Sequence, residues 1–284
     1  MSIKTVGIVG AGTMGSGIAQ AAALTGYDVI MQDISSSQLE RGLAGISRSL
    51  GKLAEKEKIQ PEEVSGSLSR ITTETELAAF ASVDIVIEAA VERMDLKLEI
   101  FRQLDSICRS DAILASNTSS LSLTSLAATS RHPERVIGLH FFNPVPLMKL
   151  VEVIRALQTS DQTYASAEAL TKQLGKVPIS VKDSPGFVVN RMLVPMINEA
   201  VFLLYEGIAG AEEIDEAMKL GAGHPIGPLA LADMIGIDVC YFVMKILSDE
   251  FADSKYRPCP LMKKMVNAGH LGRKSGKGFF DYSG

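Results

Sequence analysis

Gly10-Ala11-Gly12-Thr13-Met14-Gly15 follows the apolar run Val6-Gly7-Ile8-Val9 and opens an alanine-rich, proline-free stretch over residues 14–24. A G-x-G-x-x-G turn between a strand and a helix constrains the fold more than any other segment of this chain. The first glycine permits the tight turn, the second lets a pyrophosphate reach the backbone, and the third lets helix and strand pack closely. The helix N-terminus offers unpaired N–H groups and the positive end of its dipole to the phosphates. Tyr27-Asp28-Val29-Ile30-Met31 reads as the next strand, and Asp33 stands at its end. That is near the ~20-residue spacing at which an acid accepts hydrogen bonds from the adenine-ribose hydroxyls. A carboxylate there repels a 2′-phosphate and no arginine follows at once, so the reading is NAD rather than NADP. The alternative is a glycine turn that binds nothing; strand, spacing and acid together weigh against it.

The alternation continues. Val83-Asp84-Ile85-Val86-Ile87, Ala112-Ile113-Leu114-Ala115, Arg135-Val136-Ile137-Gly138-Leu139 and Val177-Pro178-Ile179-Ser180-Val181 read as further strands, with helical segments such as 96–107 and 164–174 between them. Strands separated by helices imply right-handed crossovers and a mostly parallel sheet covered on both faces. Residues 1–184 therefore predict a Rossmann-type, doubly wound α/β domain. Residues 38–68 are too long and too charged (Lys52, Glu55, Lys56, Glu57, Lys58) for one crossover helix. They predict a helical hairpin, broken at Gln60-Pro61, projecting from the sheet. After Asp183-Ser184-Pro185-Gly186 the strand signals stop, to return, if at all, only in the last few residues. Residues 188–206, 211–220, 229–249 and 261–268 read as helices, so 185–284 predicts an all-α domain.

With 284 residues, 46% of them hydrophobic and 21% charged, two packed domains are expected rather than disorder. A net charge of −5 argues against non-specific nucleic-acid binding, which needs a broad cationic face. No window reaches the ~18 uninterrupted apolar residues of a membrane span, and the opening residues do not read as a signal peptide. Three cysteines without CxxC spacing fit a reducing compartment, and four histidines without paired spacing predict no metal site. The expectation is a cytoplasmic protein.

Two segments fall at carboxyl ends of strands, where doubly wound sheets bind ligands. Ser116-Asn117-Thr118-Ser119-Ser120 follows one strand and His140-Phe141-Phe142-Asn143-Pro144-Val145-Pro146 the next. A turn at Asn143-Pro144-Val145-Pro146 brings Glu152 back beside His140. From position alone, His140 reads equally as a packed core histidine. Further segments are Glu88-Ala89-Ala90-Val91-Glu92, Asp183-Ser184-Pro185-Gly186-Phe187-Val188-Val189-Asn190-Arg191, Gly221-Ala222-Gly223-His224-Pro225-Ile226-Gly227-Pro228 and Gly272-Arg273-Lys274-Ser275-Gly276. Together, along essentially the whole chain, these closely resemble the L-3-hydroxyacyl-CoA dehydrogenase family, nearest its short, stand-alone bacterial members acting on 3-hydroxybutyryl-CoA.

The resemblance implies NAD-dependent interconversion of (S)-3-hydroxybutyryl-CoA and acetoacetyl-CoA. His140 would give and take the proton, a task histidine suits near neutral pH. Glu152 would fix its tautomer and stabilise the imidazolium. Ser119 and Asn190 would line the site, Ser119 donating to the reacting oxygen and Asn190 donating to the thioester carbonyl or holding the dyad in place. Otherwise Ser119 reads as a helix N-cap and Asn190 as a contact at the domain junction. Cofactor contacts carry onto Gly10, Ala11, Gly12, Thr13, Met14, Gly15, Asp33, Glu92, Lys97, Asn117, Ser119, Asn143 and Lys274. Contacts to the CoA phosphates carry onto Lys52 and Lys56, otherwise a solvated charged face. Lys97 alternatively reads as a solvated helix residue and Asn143 as a turn former. A homodimer through the helical domain is also implied. Two rivals stay open: a dehydrogenase of a free hydroxy acid or sugar acid, which gives Lys52 and Lys56 no phosphates to bind, and a dinucleotide-binding sensor without turnover, against which the His140–Glu152 pair argues.

Overall fold

Short apolar runs linked by helical stretches become, in chain order, β1 (Thr5–Val9), α1 (Thr13–Leu24), β2 (Asp28–Gln32), α2 (Ser36–Glu55), α3 (Pro61–Ser69), β3 (Ile71–Glu74), β4 (Ile85–Glu88), α4 (Met94–Ile107), β5 (Ile113–Ser116), α5 (Leu123–Ala127), β6 (Val136–Phe141), β7 (Leu150–Arg155), α6 (Asp161–Gln173) and β8 (Val177–Lys182). The computed structural model describes residues 3–283. They divide into two compact units, one ending at Ser184 and one beginning at Pro185. The strands of the first unit form one sheet in the order β3-β2-β1-β4-β5-β6-β7-β8. β1 to β6 pair in parallel, β7 runs antiparallel to β6, and β8 pairs in parallel with β7. Every residue of β4, β5 and β6 is buried, as in strands covered on both faces, which is why they read as unbroken apolar runs.

The mostly parallel, doubly wound sheet followed by a helical unit agrees with the fold class read from the sequence. Two strands lacked a strand signal. In β3 only Ile71 of Ile-Thr-Thr-Glu is buried, so an edge strand this short and polar shows no apolar run. β7 was visible only as the return of the chain toward His140. The hairpin forms as α2 and α3, but it does not stand clear of the sheet. Leu39, Ile46 and Leu50 of α2 are buried in one apolar core with Ile18 of α1 and Met31 of β2, and Val64 and Leu68 of α3 pack against that core.

The second unit consists of α7 (Val189–Tyr205), α8 (Ala211–Ala222), α9 (Pro228–Ile235), α10 (Ile237–Phe251) and α11 (Pro260–Asn267) around Ile197, Val201, Leu229, Met244 and Leu247. The single helix expected over 229–249 is two, because Gly236 adopts φ +110°, a conformation that ends a helix and that glycine tolerates. Buried carboxylates tie the loops. Asp215 accepts the Leu229 and Ala230 amides that begin α9, at 2.8 and 2.9 Å. Asp233 accepts those of Phe279 and Phe280 at 3.0 and 2.9 Å. Among the described residues no helix is long and apolar enough to cross a membrane.

Candidate active site

The glycine turn follows the carboxyl end of β1 and lies against that of β4. Gly10 has φ +95°, and a Cβ there would lie 2.8 Å from the Ala89 carbonyl oxygen. A Cβ on Gly15 would lie 1.8 Å from the Gly10 carbonyl oxygen, so only glycine lets α1 start this close to β1. No side chain caps α1 and no acid occupies its first turn, which leaves its opening amides for an anion. At Gly12 a Cβ would meet no atom within 4 Å; the backbone there faces open space that a pyrophosphate can enter. Asp33 is pinned at the end of β2: Oδ2 accepts from the Ala11 amide at 2.9 Å and Oδ1 from the Ser35 amide at 3.0 Å. Turn, helix end and oriented acid fit an NAD molecule.

A cavity of about 580 Å³ opens from this turn. Its walls include Gly12 and Thr13, Asn143 to Leu147, and a cationic side of the hairpin formed by Arg41, Arg48, Lys52, Lys56 and Lys58. Lys52 and Lys56 are thereby brought to the same cavity as Asn143 and the glycine turn. Arg41, Arg48 and Lys58 had no binding role read from the sequence. A helical-wheel projection of α2 is the signal that groups Arg41, Arg48 and Lys52 on one side.

His140 and Glu152 face each other directly in the antiparallel register of β6 and β7. His140 Nδ1 stands 2.8 Å from Glu152 Oε2, with the residues 6% and 1% exposed. The Phe142 ring lies over the imidazole, centroids 4.4 Å apart. A carboxylate at Nδ1 holds the proton on that nitrogen, which makes Nε2 the basic one. Asn117 ties the neighbouring strand ends together: its Oδ1 accepts from the Phe141 amide at 2.9 Å, and its own amide donates to the Glu88 carbonyl at 2.7 Å.

Ser119 is not a helix N-cap; Ser122 caps α5, accepting from the Ser125 amide. The Ser119 amide instead donates to Glu92 Oε1 at 2.8 Å. Lys97 is neither solvated nor on the cavity wall. It is 1% exposed and its Nζ lies 2.7 Å from Glu88 Oε1 and 3.4 Å from Glu92 Oε2. Glu88, wholly buried, had no role read from the sequence. Its signal is an acid closing the otherwise apolar run Ile85-Val86-Ile87, a position that demands a partner. In the helical unit, Asn190 stands in the first turn of α7, just after Gly186 and Phe187, both at positive φ. Lys274 Nζ pairs with Asp238 at 2.6 Å.

The model of the 3-hydroxyacyl-CoA dehydrogenase NAD binding domain matches residues 5–184, and that of the 3-hydroxyacyl-CoA dehydrogenase C-terminal domain matches residues 186–282. A probable 3-hydroxybutyryl-CoA dehydrogenase of Bacillus subtilis is 53% identical over 282 residues, 99% of this chain and 98% of that one. The 3-hydroxybutyryl-CoA dehydrogenase of Bradyrhizobium diazoefficiens is 51% identical, covering 99% of this chain and 96% of its own. The crystal structure of (S)-3-hydroxybutyryl-CoA dehydrogenase from Ralstonia eutropha superimposes with a TM-score of 0.97 at 59% identity, over the full length of both chains.

Proposed function

The chain belongs to the 3-hydroxyacyl-CoA dehydrogenase family, and on that premise we propose that this NAD-binding oxidoreductase interconverts (S)-3-hydroxybutyryl-CoA and acetoacetyl-CoA through a His140–Glu152 proton-transfer pair. NAD, when bound, supplies or takes up the hydride. The glycine turn, the open start of α1 and Asp33 hold the dinucleotide. His140 carries the proton at Nε2, giving it to the substrate oxygen in the reductive direction and taking it back in the oxidative one. Glu152 at Nδ1 fixes the ring and stabilises the imidazolium. Ser119 donates to the reacting oxygen. Lys52 and Lys56 attract the CoA phosphates from the hairpin side of the cavity. For Asn190 we propose an amide donor toward the thioester, and for Lys274 a dinucleotide contact, as the family likeness implies.

The observation that carries this reading is the buried 2.8 Å contact between His140 and Glu152 at the carboxyl end of the sheet. A carboxylate at Nδ1 is of most use to an imidazole that cycles through a cation, because it stabilises that cation. The test is steady-state oxidation of NADH by acetoacetyl-CoA, with NADPH and longer 3-oxoacyl-CoA esters in parallel. Turnover with NADH and the four-carbon ester is expected. Turnover only with a free hydroxy acid, or none with either class, would overturn the reading.

The helical unit exposes Met192, Ile208, Leu220, Met234 and Phe242, and we propose a homodimer through this unit, as the family likeness implies. The three cysteines are buried and unpaired, in keeping with a cytoplasmic enzyme.

A further inference from the structure

The pairing of β5 with β6 stops short of the strand end that carries His140. Its last partners are Ser116 and Gly138. β6 runs on to Phe141 and keeps its antiparallel partner β7, with His140 opposite Glu152 and Phe141 opposite Val151. On the β5 side the strand has already given way to the loop after Ser116. There the Asn117 side chain takes over: its Oδ1 accepts the Phe141 amide at 2.9 Å, a bond that a strand carbonyl would otherwise make. Phe141 is 2% exposed, so its N–H has little access to water if that acceptor is lost.

Asn117 is itself fixed to β4. Its own amide donates to the Glu88 carbonyl at 2.7 Å. The Ser116 hydroxyl donates to Glu88 Oε2 at 2.7 Å and accepts the Thr118 amide at 3.2 Å. Lys97 Nζ and the Ala90 amide reach Glu88 Oε1, each at 2.7 Å. Glu88, Lys97, Ser116 and Thr118 are at most 1% exposed, and a buried network with its donors and acceptors matched is stiff. The Phe141 N–H belongs to the peptide that leaves His140. The catalytic residue is thus held twice: its ring by Glu152 from β7, at 2.8 Å, and its main chain by Asn117 from the β5 side.

We propose that Asn117 is a positioning residue acting through the His140–Phe141 peptide: it prolongs the β5 edge by a side-chain hydrogen bond and so fixes where the imidazole stands against Glu152 and the reacting oxygen. This rests on the dehydrogenase reading for what His140 does. It gives Asn117 a different task from the dinucleotide contact expected of it.

The test compares Asn117→Asp, which keeps an oxygen acceptor, with Asn117→Ala, which does not. Both are assayed with NADH and acetoacetyl-CoA, and by amide hydrogen exchange on the ligand-free proteins. Asn117→Ala is expected to lower kcat about tenfold or more, because a small misplacement of a reacting group is costly, with the KM for NADH held within about twofold. Asn117→Asp is expected to keep kcat within about threefold of the parent. The Phe141 amide is expected to exchange at least about tenfold faster in Asn117→Ala and near the parent rate in Asn117→Asp. If Asn117→Ala does not fold, Asn117→Ser, too short to reach the Phe141 amide, takes its place. A raised KM for NADH at unchanged kcat, an aspartate variant as slow as the alanine one, or unaltered Phe141 exchange in Asn117→Ala would each overturn the positioning role. If the parent enzyme does not turn over acetoacetyl-CoA, the dehydrogenase reading fails, while Phe141 exchange still decides whether Asn117 holds the strand end.

Discussion

Glu152→Gln is the change that most directly probes the chemistry. Glutamine keeps the length and shape of the side chain, and its amide oxygen still accepts from His140 Nδ1. What disappears is the negative charge 2.8 Å from the ring, in a pair 6% and 1% exposed. A hydrogen bond to a charged group contributes about 1.5–3 kcal/mol net. Here that contribution counts when the imidazolium forms, because Oε2 opposes a full positive charge only in that state. At about 1.4 kcal/mol per decade, kcat/KM for acetoacetyl-CoA should fall by about 10- to 150-fold. The KM for NADH should stay within about twofold, since Asp33 and the glycine turn are untouched. Thermal stability should change little, because the shape is kept. The assay is NADH absorbance under varied acetoacetyl-CoA, with a thermal melt of each protein. A variant with kcat/KM within twofold of the parent, at equal fold content, would refute the view that Glu152 supports a charged His140. Glu152→Ala is the contrast: it also leaves Nδ1–H unpaired in a buried site and should cost about 1–3 kcal/mol of stability.

Replacing both Lys52 and Lys56 by Glu should raise the KM for acetoacetyl-CoA at least about tenfold, with an effect that shrinks in high salt and leaves the KM for NADH unmoved; unchanged acetoacetyl-CoA kinetics would exclude them as phosphate contacts. Asp33→Ser removes the charge that opposes a 2′-phosphate and should narrow the NADH/NADPH ratio of kcat/KM by about tenfold or more. At Asp105, burial alone would raise the carboxyl, but the Ser130, Arg131 and Arg135 donors hold it far below the ordinary carboxylate range. A group depressed on folding contributes stability above its unfolded value near 3.9, and that contribution is lost only as pH falls toward the lower folded value. Asp105→Asn strands the buried Arg135 cation, so urea melts should show a loss of about 3–5 kcal/mol. The loss should be constant from about pH 8 to pH 5 and shrink only in strong acid.

Local patterns were legible where neighbours in sequence settle the matter. Gly10, Gly12 and Gly15 are spaced for a turn into a helix whatever packs around them. The apolar runs of β1, β2, β4, β5 and β6 advertise burial on both faces, and Asp33 marks the end of β2 by distance from the turn alone. The site was legible as a set of residue types at strand ends, and only as that. Lys97 read as a solvated helix residue or a cofactor contact because the acid that buries it, Glu88, lies on another strand, and a lone charge in a sequence does not announce a partner. The alternative of Ser119 as a cap stood open because the true cap, Ser122, is three residues further on and equally plausible by type.

The chain by itself thus determined the alternation of strands and helices, the phosphate turn and the switch to an all-helical second unit, since each rests on periodicity or backbone freedom over a few residues. Tertiary structure decided that β7 runs back along β6 in the one register that sets Glu152 opposite His140, and that Glu88 and Glu92 close on Lys97. A slip of one residue would turn Glu152 to the other face of the sheet. Such lateral pairings depend on how distant segments pack, and short-range pattern carries no trace of them.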